Sequence, residues 1–369
     1  MSSITQPHVP EISWFGALCD DDYEFLGVPD PDLAASWEHC RDIVQAADRG
    51  GFDNVLLPSG YQLGIDSTAF AAAIATHTEQ INLLLAVRMG EMWLPQLARQ
   101  LASIDQFAHG RLTINIISSD IPGEALDSAP RYQRTREWMQ VLRKLLNRES
   151  IDFHGEFVDL TLDPPRISTA DSTCPPFYFG GFSPAAKDVA AAEADVFLTW
   201  PDTVASVGDT VSEMAALARE RYDRELLCGL RAHMIVRETE AEARAAAAQL
   251  VSKLDADTGD AIRNKSLDAA SVGVSRQADL RESAADDGFV EEALWTGVGR
   301  ARSGAGAAIV GDPDQVVAKL KAYQDAGVSA FILSGYTHRA ECDLVAKYVL
   351  PEVEHAAVKP RFTSDLGIG

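Results

Sequence analysis

The chain alternates eight times between a short apolar run and a segment long enough for a helix. No other feature of the sequence restricts the fold as strongly. The apolar runs lie at 12–18, 54–58, 81–87, 112–117, 177–179, 195–199, 226–237 and 330–334. A strand apolar on both faces must be covered on both, and strand–helix alternation does this by laying helices on a parallel sheet. Eight repeats predict a closed (β/α)8 barrel, the TIM barrel, over an open sheet. Helices are expected at 35–49, ended by Gly50-Gly51, at 66–78, at 95–109 with Gly110 as cap, and at 132–147. A hairpin is expected around His154-Gly155. Residues 256–305 break the rhythm. They are rich in Asp, Ala, Ser and Gly and too long for an ordinary connection, which predicts a lid inserted before the last strand. The stretch 307–313 then leads into a helix ending near Ala326. The 369 residues read as a single domain with tails at 1–10 and 358–369.

Composition narrows the partners. Hydrophobic residues make up 46%, enough for a large core, and the formal net charge is −23. Such a surface repels nucleic acid and anionic membranes, so an anionic substrate would need a local basic island. The five cysteines form no CxxC pair and no zinc spacing, and their odd number fits reduced thiols of a cytoplasmic protein. The first residues lack a basic region followed by an apolar one, and no apolar run approaches a membrane span of ~18 residues. A cytoplasmic location is therefore expected.

In such a barrel the chemistry sits where the strands end. The run 229–238 is the most informative, because side chains alternate faces along a strand. Leu230, Ala232 and Met234 share one face, suited to helices; Arg231, His233 and Ile235 share the other. A cation and an imidazole on an inward face are costly unless used. The remaining strand ends contribute Ser59, Arg88, Asn115, Ser118, Gly180-Gly181, Trp200, Tyr336 and His338. Gly180-Gly181-Phe182-Ser183 joins a strand to a helix N-terminus, where free N–H groups and the helix dipole favour a phosphate. Arg302 lies in the glycine-flanked stretch 299–306, placed to close over a substrate. No Walker loop, HExxH, GxSxG or complete GxGxxG occurs, and no cluster with metal-ligand spacing, so no metal is expected.

Several segments carry a resemblance: Pro176-Phe-Tyr-Phe-Gly-Gly181, Phe197-Leu-Thr-Trp200, Leu230 to Thr239, Leu294-Trp-Thr-Gly-Val-Gly299 with Gly304-Ala-Gly306, and Phe331 to His338. Together they resemble the bacterial-luciferase-like flavin monooxygenases, in particular the alkanesulfonate monooxygenase branch. The resemblance implies a two-component system, in which an NAD(P)H-dependent flavin reductase supplies reduced FMN. O2 is then used to cleave the C–S bond of an organosulfonate, giving sulfite and an aldehyde. It further implies that Trp200, Arg231, His233, Tyr336 and His338 surround the sulfonate and the flavin, and that Arg302 binds substrate from the lid. Asn115, Ser118, Tyr132, Gly181 and Ser183 would hold FMN, the last three near its phosphate. A homodimer or homotetramer is implied as well. The chain departs from the pattern twice. Leu63 stands near the place of an active-site Cys, and Cys19 with Asp20, Asp21 and Asp22 stands where a His is usual. Carboxylates there suit hydroxyls better than an alkyl chain, which points to a polar sulfonate such as the sulfo-sugar sulfoquinovose. Two alternatives remain: an oxidoreductase using the deazaflavin F420, and a flavin-binding barrel without turnover.

Overall fold

The computed structural model describes residues 9–61, 64–124, 126–254, 259, 271–302 and 304–358. Most of the two tails, Leu63 and, within the expected lid, residues 256–258, 260–270 and Ser303 lie outside the described residues.

Eight parallel strands close on themselves in the order β1 (Glu11–Phe15), β2 (Asn54–Leu57), β3 (Asn82–Arg88), β4 (Leu112–Ile117), β7 (Phe177–Gly180), β8 (Val196–Thr199), β9 (Leu227–Val236) and β13 (Val328–Ser334), with β13 pairing back to β1. This is the expected barrel. The expected hairpin is present as β5 (Ile151–His154) and β6 (Asp159–Leu162), outside the barrel. Its turn is fixed by Glu137, whose carboxylate accepts from the backbone N–H groups of Glu156, Phe157 and Val158.

Helix ends follow local chemistry. In α1 (Trp37–Gly50) the Ser36 hydroxyl accepts from His39 N–H, and Gly51 at φ 86° stops the helix. α5 (Pro184–Glu193) starts at Ser183, which accepts from Ala186 N–H. Some boundaries differ from expectation. The first strand ends at Phe15, although the apolar run continues to Leu18; Ala17 and Leu18 are apolar because they are buried at the mouth, not because they extend the sheet. The helix expected from 132 already begins at Ser128.

The stretch 307–313 is not simply an approach to a helix. It contains strand β12 (Ala308–Gly311), and the preceding insertion adds β10 (Phe289–Glu291) and β11 (Leu294–Trp295), giving an eleven-stranded sheet. The reason lies in β9, which is ten residues long. Its first half pairs with β8, from Leu227 to Leu230, and its second half pairs with β12, from His233 to Val236. β9 therefore outgrows the barrel, and its free edge above the rim is satisfied by the insertion. That pairing brings Arg302, which bonds Tyr336 and Asp21, to the mouth.

The floor of the barrel holds a buried polar knot. Glu11 Oε1 accepts from Ser13, Asn54 and Tyr178, and Oε2 accepts from Val358 N–H, so the C-terminal segment is tied beneath the barrel. Burial pushes the Glu11 carboxyl up to about 7, against the opposing pull of these donors. Glu11→Ala should cost about 3–5 kcal/mol in urea unfolding, because it orphans several buried donors at once. An unchanged midpoint would mean that water replaces the carboxylate.

Candidate functional site

Arg231 and His233 lie on the inward face of β9, both buried, while Leu230, Ala232 and Met234 join the apolar core beneath the helices. The alternation read from the sequence is the one found. The Arg231 guanidinium donates to the carbonyl of Ala232 at 2.7 Å and to Ser334 Oγ at 2.8 Å, and lies 4.5 Å from the ring centroid of Phe15. Among the described residues no carboxylate pairs with it. Burial first, then the positive charge of Arg302, brings its pKa down to about 9.

Ser334 ties Arg231 to His233. Its Oγ lies 2.8 Å from His233 Nδ1. With Arg231 donating to that oxygen, the hydroxyl proton is free to run to Nδ1, and the imidazole proton then belongs on Nε2. Burial above all, then Arg231, Arg302 and His338, push the His233 pKa well below its usual value, partly opposed by the Ala305 carbonyl. The ring is therefore neutral, and beyond the pull of the Ala305 carbonyl on the ring its buried Nε2 makes no well-formed hydrogen bond.

Tyr336 stacks on His233 with centroids 5.2 Å apart and meets His338 edge-on at the same separation. Its hydroxyl accepts from Arg302 at 2.8 Å, and the same guanidinium nitrogen donates to Asp21 Oδ2 at 3.0 Å. Arg302 thus reaches from the insertion to the barrel. Burial works against its charge, but Tyr336 and Asp21 outweigh it and hold its pKa above the usual value. His338 is fully buried, with Nδ1 2.9 Å from Asp22 Oδ1. Burial alone would raise the Asp22 pKa; the imidazoles of His338 and His39 more than reverse this and hold the carboxyl well below its usual range.

The three consecutive aspartates therefore do three different things. Asp20 accepts from Ala35 N–H, Asp21 holds Arg302, and Asp22 sits between His338 and His39. Trp200 stands apart from the Arg231 group. It meets Phe182 edge-on at 5.9 Å and packs under Gly273 and Gly304, where a Cβ at Gly273 would fall 2.6 Å from the indole.

A second group gathers around the start of α5. A Cβ on Gly181 would lie 2.5 Å from that of Ala186 and 3.4 Å from the Tyr132 hydroxyl, so only glycine lets the chain pass here. Tyr132, Gly181 and Ser183 thus come together as expected, although the Ser183 hydroxyl is engaged in capping its own helix. The Arg131 guanidinium lies 5.6 Å from the Tyr132 ring centroid. Ser118 bonds Thr135 at 2.7 Å, and Asn115 is half-buried on β4 between Ala86 and Tyr178. Arg88 is buried and paired with Glu91 and Ser119. A cavity of about 660 Å3 lined by Arg244, Arg281 and Trp295 lies outside the barrel, away from this chemistry.

A family model described as luciferase-like monooxygenase matches residues 25–330. The chain belongs to this family. It is 60% identical over 352 residues to a sulfoquinovose monooxygenase of Novosphingobium aromaticivorans, covering 94% of this chain and 97% of that protein. A sulfoquinovose monooxygenase of Agrobacterium fabrum is 49% identical over 350 residues, with 93% and 90% covered. Among solved structures, an EDTA monooxygenase from Chelativorans sp. BNC1 superposes with a TM-score of 0.76 at 19% identity, covering 93% of each chain, a likeness of fold. No helix among the described residues is long and apolar enough to cross a membrane.

For this luciferase-like monooxygenase, sequence reasoning missed Ser334, which orders both Arg231 and His233, and Phe15, whose ring lies near both Arg231 and Arg302. A serine and a phenylalanine at apolar strand ends carry no signal of their own. Register gives one, since Ser334 pairs with His233 across the sheet. The unpaired burial of Arg231 yields a test. Arg231→Met should raise stability in urea unfolding by about 1–3 kcal/mol, since replacing an uncompensated buried charge by a hydrophobe of similar length removes a desolvation cost. Destabilisation would mean that the neutral hydrogen bonds of Arg231 outweigh that cost.

Proposed function

We propose that this protein is a flavin-dependent monooxygenase that desulfonates an organosulfonate, with sulfoquinovose, a sugar carrying its sulfonate on a primary carbon, as the substrate. The observation that carries this reading is Arg231: buried, bonded only to neutral groups, and close enough to Arg302 to be perturbed by it. Two cations and a neutral imidazole with a free Nε2 form a trap for a compact anion. A sulfonate, with three equivalent oxygens, suits the paired N–H groups of a guanidinium. The names of the two curated relatives support the same choice.

The residues around α5 fit a flavin phosphate. Gly181 leaves a cradle that a Cβ would fill, Tyr132 faces it, and the N–H groups at the helix start supply donors. In this reading Tyr132, Gly181 and Ser183 hold the phosphate of FMN, and Asn115 and Ser118 lie along the rest of the cofactor. When bound, reduced FMN from a separate NAD(P)H-dependent flavin reductase would supply the two electrons that activate O2. One oxygen atom ends in the aldehyde and the other in water, the C–S bond breaks, and sulfur leaves as sulfite. Arg231 and Arg302 bind and orient the sulfonate, and His233 offers its Nε2 proton to a developing oxyanion. Tyr336 and His338 fix the wall around it. Trp200, packed under Gly304, seals the mouth against water.

Two outcomes are expected. Incubated with FMN, a flavin reductase and NADPH in air, the protein should release sulfite from sulfoquinovose, and Arg302→Ala should lose about 100-fold or more of that rate. Oxidation of NADPH without sulfite from sulfoquinovose, taurine or short alkanesulfonates would sink the reading. The pKa of Arg231, lowered to about 9 in the ligand-free site, sets a pH dependence. Above about pH 9 the free site loses a positive charge, so KM should rise with pH. A bound sulfonate pulls that pKa back up, so kcat should hold over the same range; a flat KM would argue against Arg231 as the anchor.

A further inference from the structure

Among the described residues of the mouth, the buried polar atoms without a well-formed hydrogen bond are ring nitrogens of His233 and His338, Arg302 Nε and one carboxylate oxygen, Asp21 Oδ1. His233 Nε2, which the Ser334 contact leaves carrying a proton, and Asp21 Oδ1, an acceptor, are of opposite kinds. They stand at the two ends of one chain of contacts. From His233 the chain runs through the stacked Tyr336 ring to its hydroxyl, then to Arg302, then to Asp21 Oδ2. The donor end lies with Arg231 and takes the sulfonate in the reading above. The acceptor end lies beyond Arg302.

We propose that Asp21 selects a polyhydroxylated sulfonate: Oδ1 accepts a hydrogen bond from a hydroxyl of the substrate's carbon framework, while Oδ2 keeps hold of Arg302. This rests on the sulfonate reading of the site. A carboxylate oxygen buried without a donor is costly, and a substrate hydroxyl removes that cost. An alkyl chain in the same place would leave the oxygen desolvated and unpaired, so the residue that welcomes a sugar also rejects a lipid-like sulfonate. The charged and titratable groups around Asp21, besides its neighbours in sequence, are Arg302, Arg231, Tyr23, Tyr336, Cys19 and Cys40. Arg302 bonds the other oxygen, and none of the rest donates to Oδ1. Its neighbours in sequence are not available, since Asp20 is turned to Ala35 N–H and Asp22 is held between His338 and His39. Asp21 is thus a specificity residue on one oxygen and a positioning residue on the other.

The two roles separate by ligand. Calorimetric titration of the anaerobic protein with reduced FMN would compare sulfoquinovose with 1-hexanesulfonate, which has the anion without the hydroxyls. Asp21→Ala should weaken both ligands through Arg302, and should weaken sulfoquinovose about 10–100-fold more than hexanesulfonate. Asp21→Asn keeps a carbonyl acceptor and should recover part of the loss. Arg302→Ala should weaken both ligands alike. The inference falls if Asp21→Ala and Asp21→Asn weaken both ligands by the same factor, which would leave Asp21 only as an anchor for Arg302. It falls too if neither variant weakens sulfoquinovose, or if the unaltered protein prefers hexanesulfonate. Tight, Asp21-dependent binding of sulfoquinovose without sulfite release in air would instead remove the proposed reaction and leave the hydroxyl contact standing.

Discussion

The mouth of this barrel is arranged around a buried guanidinium that has no counter-ion among the described residues. Holding Arg231 on neutral hydrogen bonds costs several kcal/mol that a carboxylate would have offset. The neighbours limit that cost without cancelling the charge. Ser334 and two backbone carbonyls take its protons, the Phe15 face lies against it, and His233 is kept neutral so that no further positive charge adds to the strain. The two available carboxylates are spent elsewhere, Asp21 on Arg302 and Asp22 on two imidazoles. The site is therefore left one negative charge short, a shortage that a bound anion would make good.

Strand β9 makes this arrangement possible. A strand no longer than the barrel wall would place Arg231 at the rim but would give the insertion nothing to pair with. Because β9 continues to Val236, β12 docks on its upper half, and the chain entering β12 must cross the mouth just before it. Arg302 lies on that crossing, and Gly299 and Gly306 meet backbone to backbone at its base. Backbone pairing therefore delivers the second cation, and a dry roof comes with it.

Much of this was legible in the sequence. The eightfold alternation carried the barrel, because a period of apolar runs is dictated by burial and needs no side-chain detail. The two faces of β9 could be read for the same reason. The small strands of the insertion could not: β11 has two residues and β10 three, too short for any period, and their pairing depends on an edge that exists only in the folded barrel. Within the site, types legible as chemistry, such as Arg, His and Tyr, were found, whereas Ser334 and Phe15 looked like ordinary strand residues. The aspartate run was visible as charge, but its division into three different tasks depends on backbone direction, including the left-handed conformation of Asp20.

An acidic protein with an anionic substrate, as proposed, presents an apparent conflict, which range resolves. Surface charges farther than about 8–10 Å from a ligand are screened by salt, whereas cations in a water-poor mouth act almost unscreened. The net charge of −23 therefore sets the approach, and Arg231 with Arg302 sets the capture. An overall negative field also disfavours the indiscriminate binding of phosphates and sulfates to the rest of the surface, which leaves the converging guanidinium groups of Arg231 and Arg302 as the place where the proposed substrate would be held.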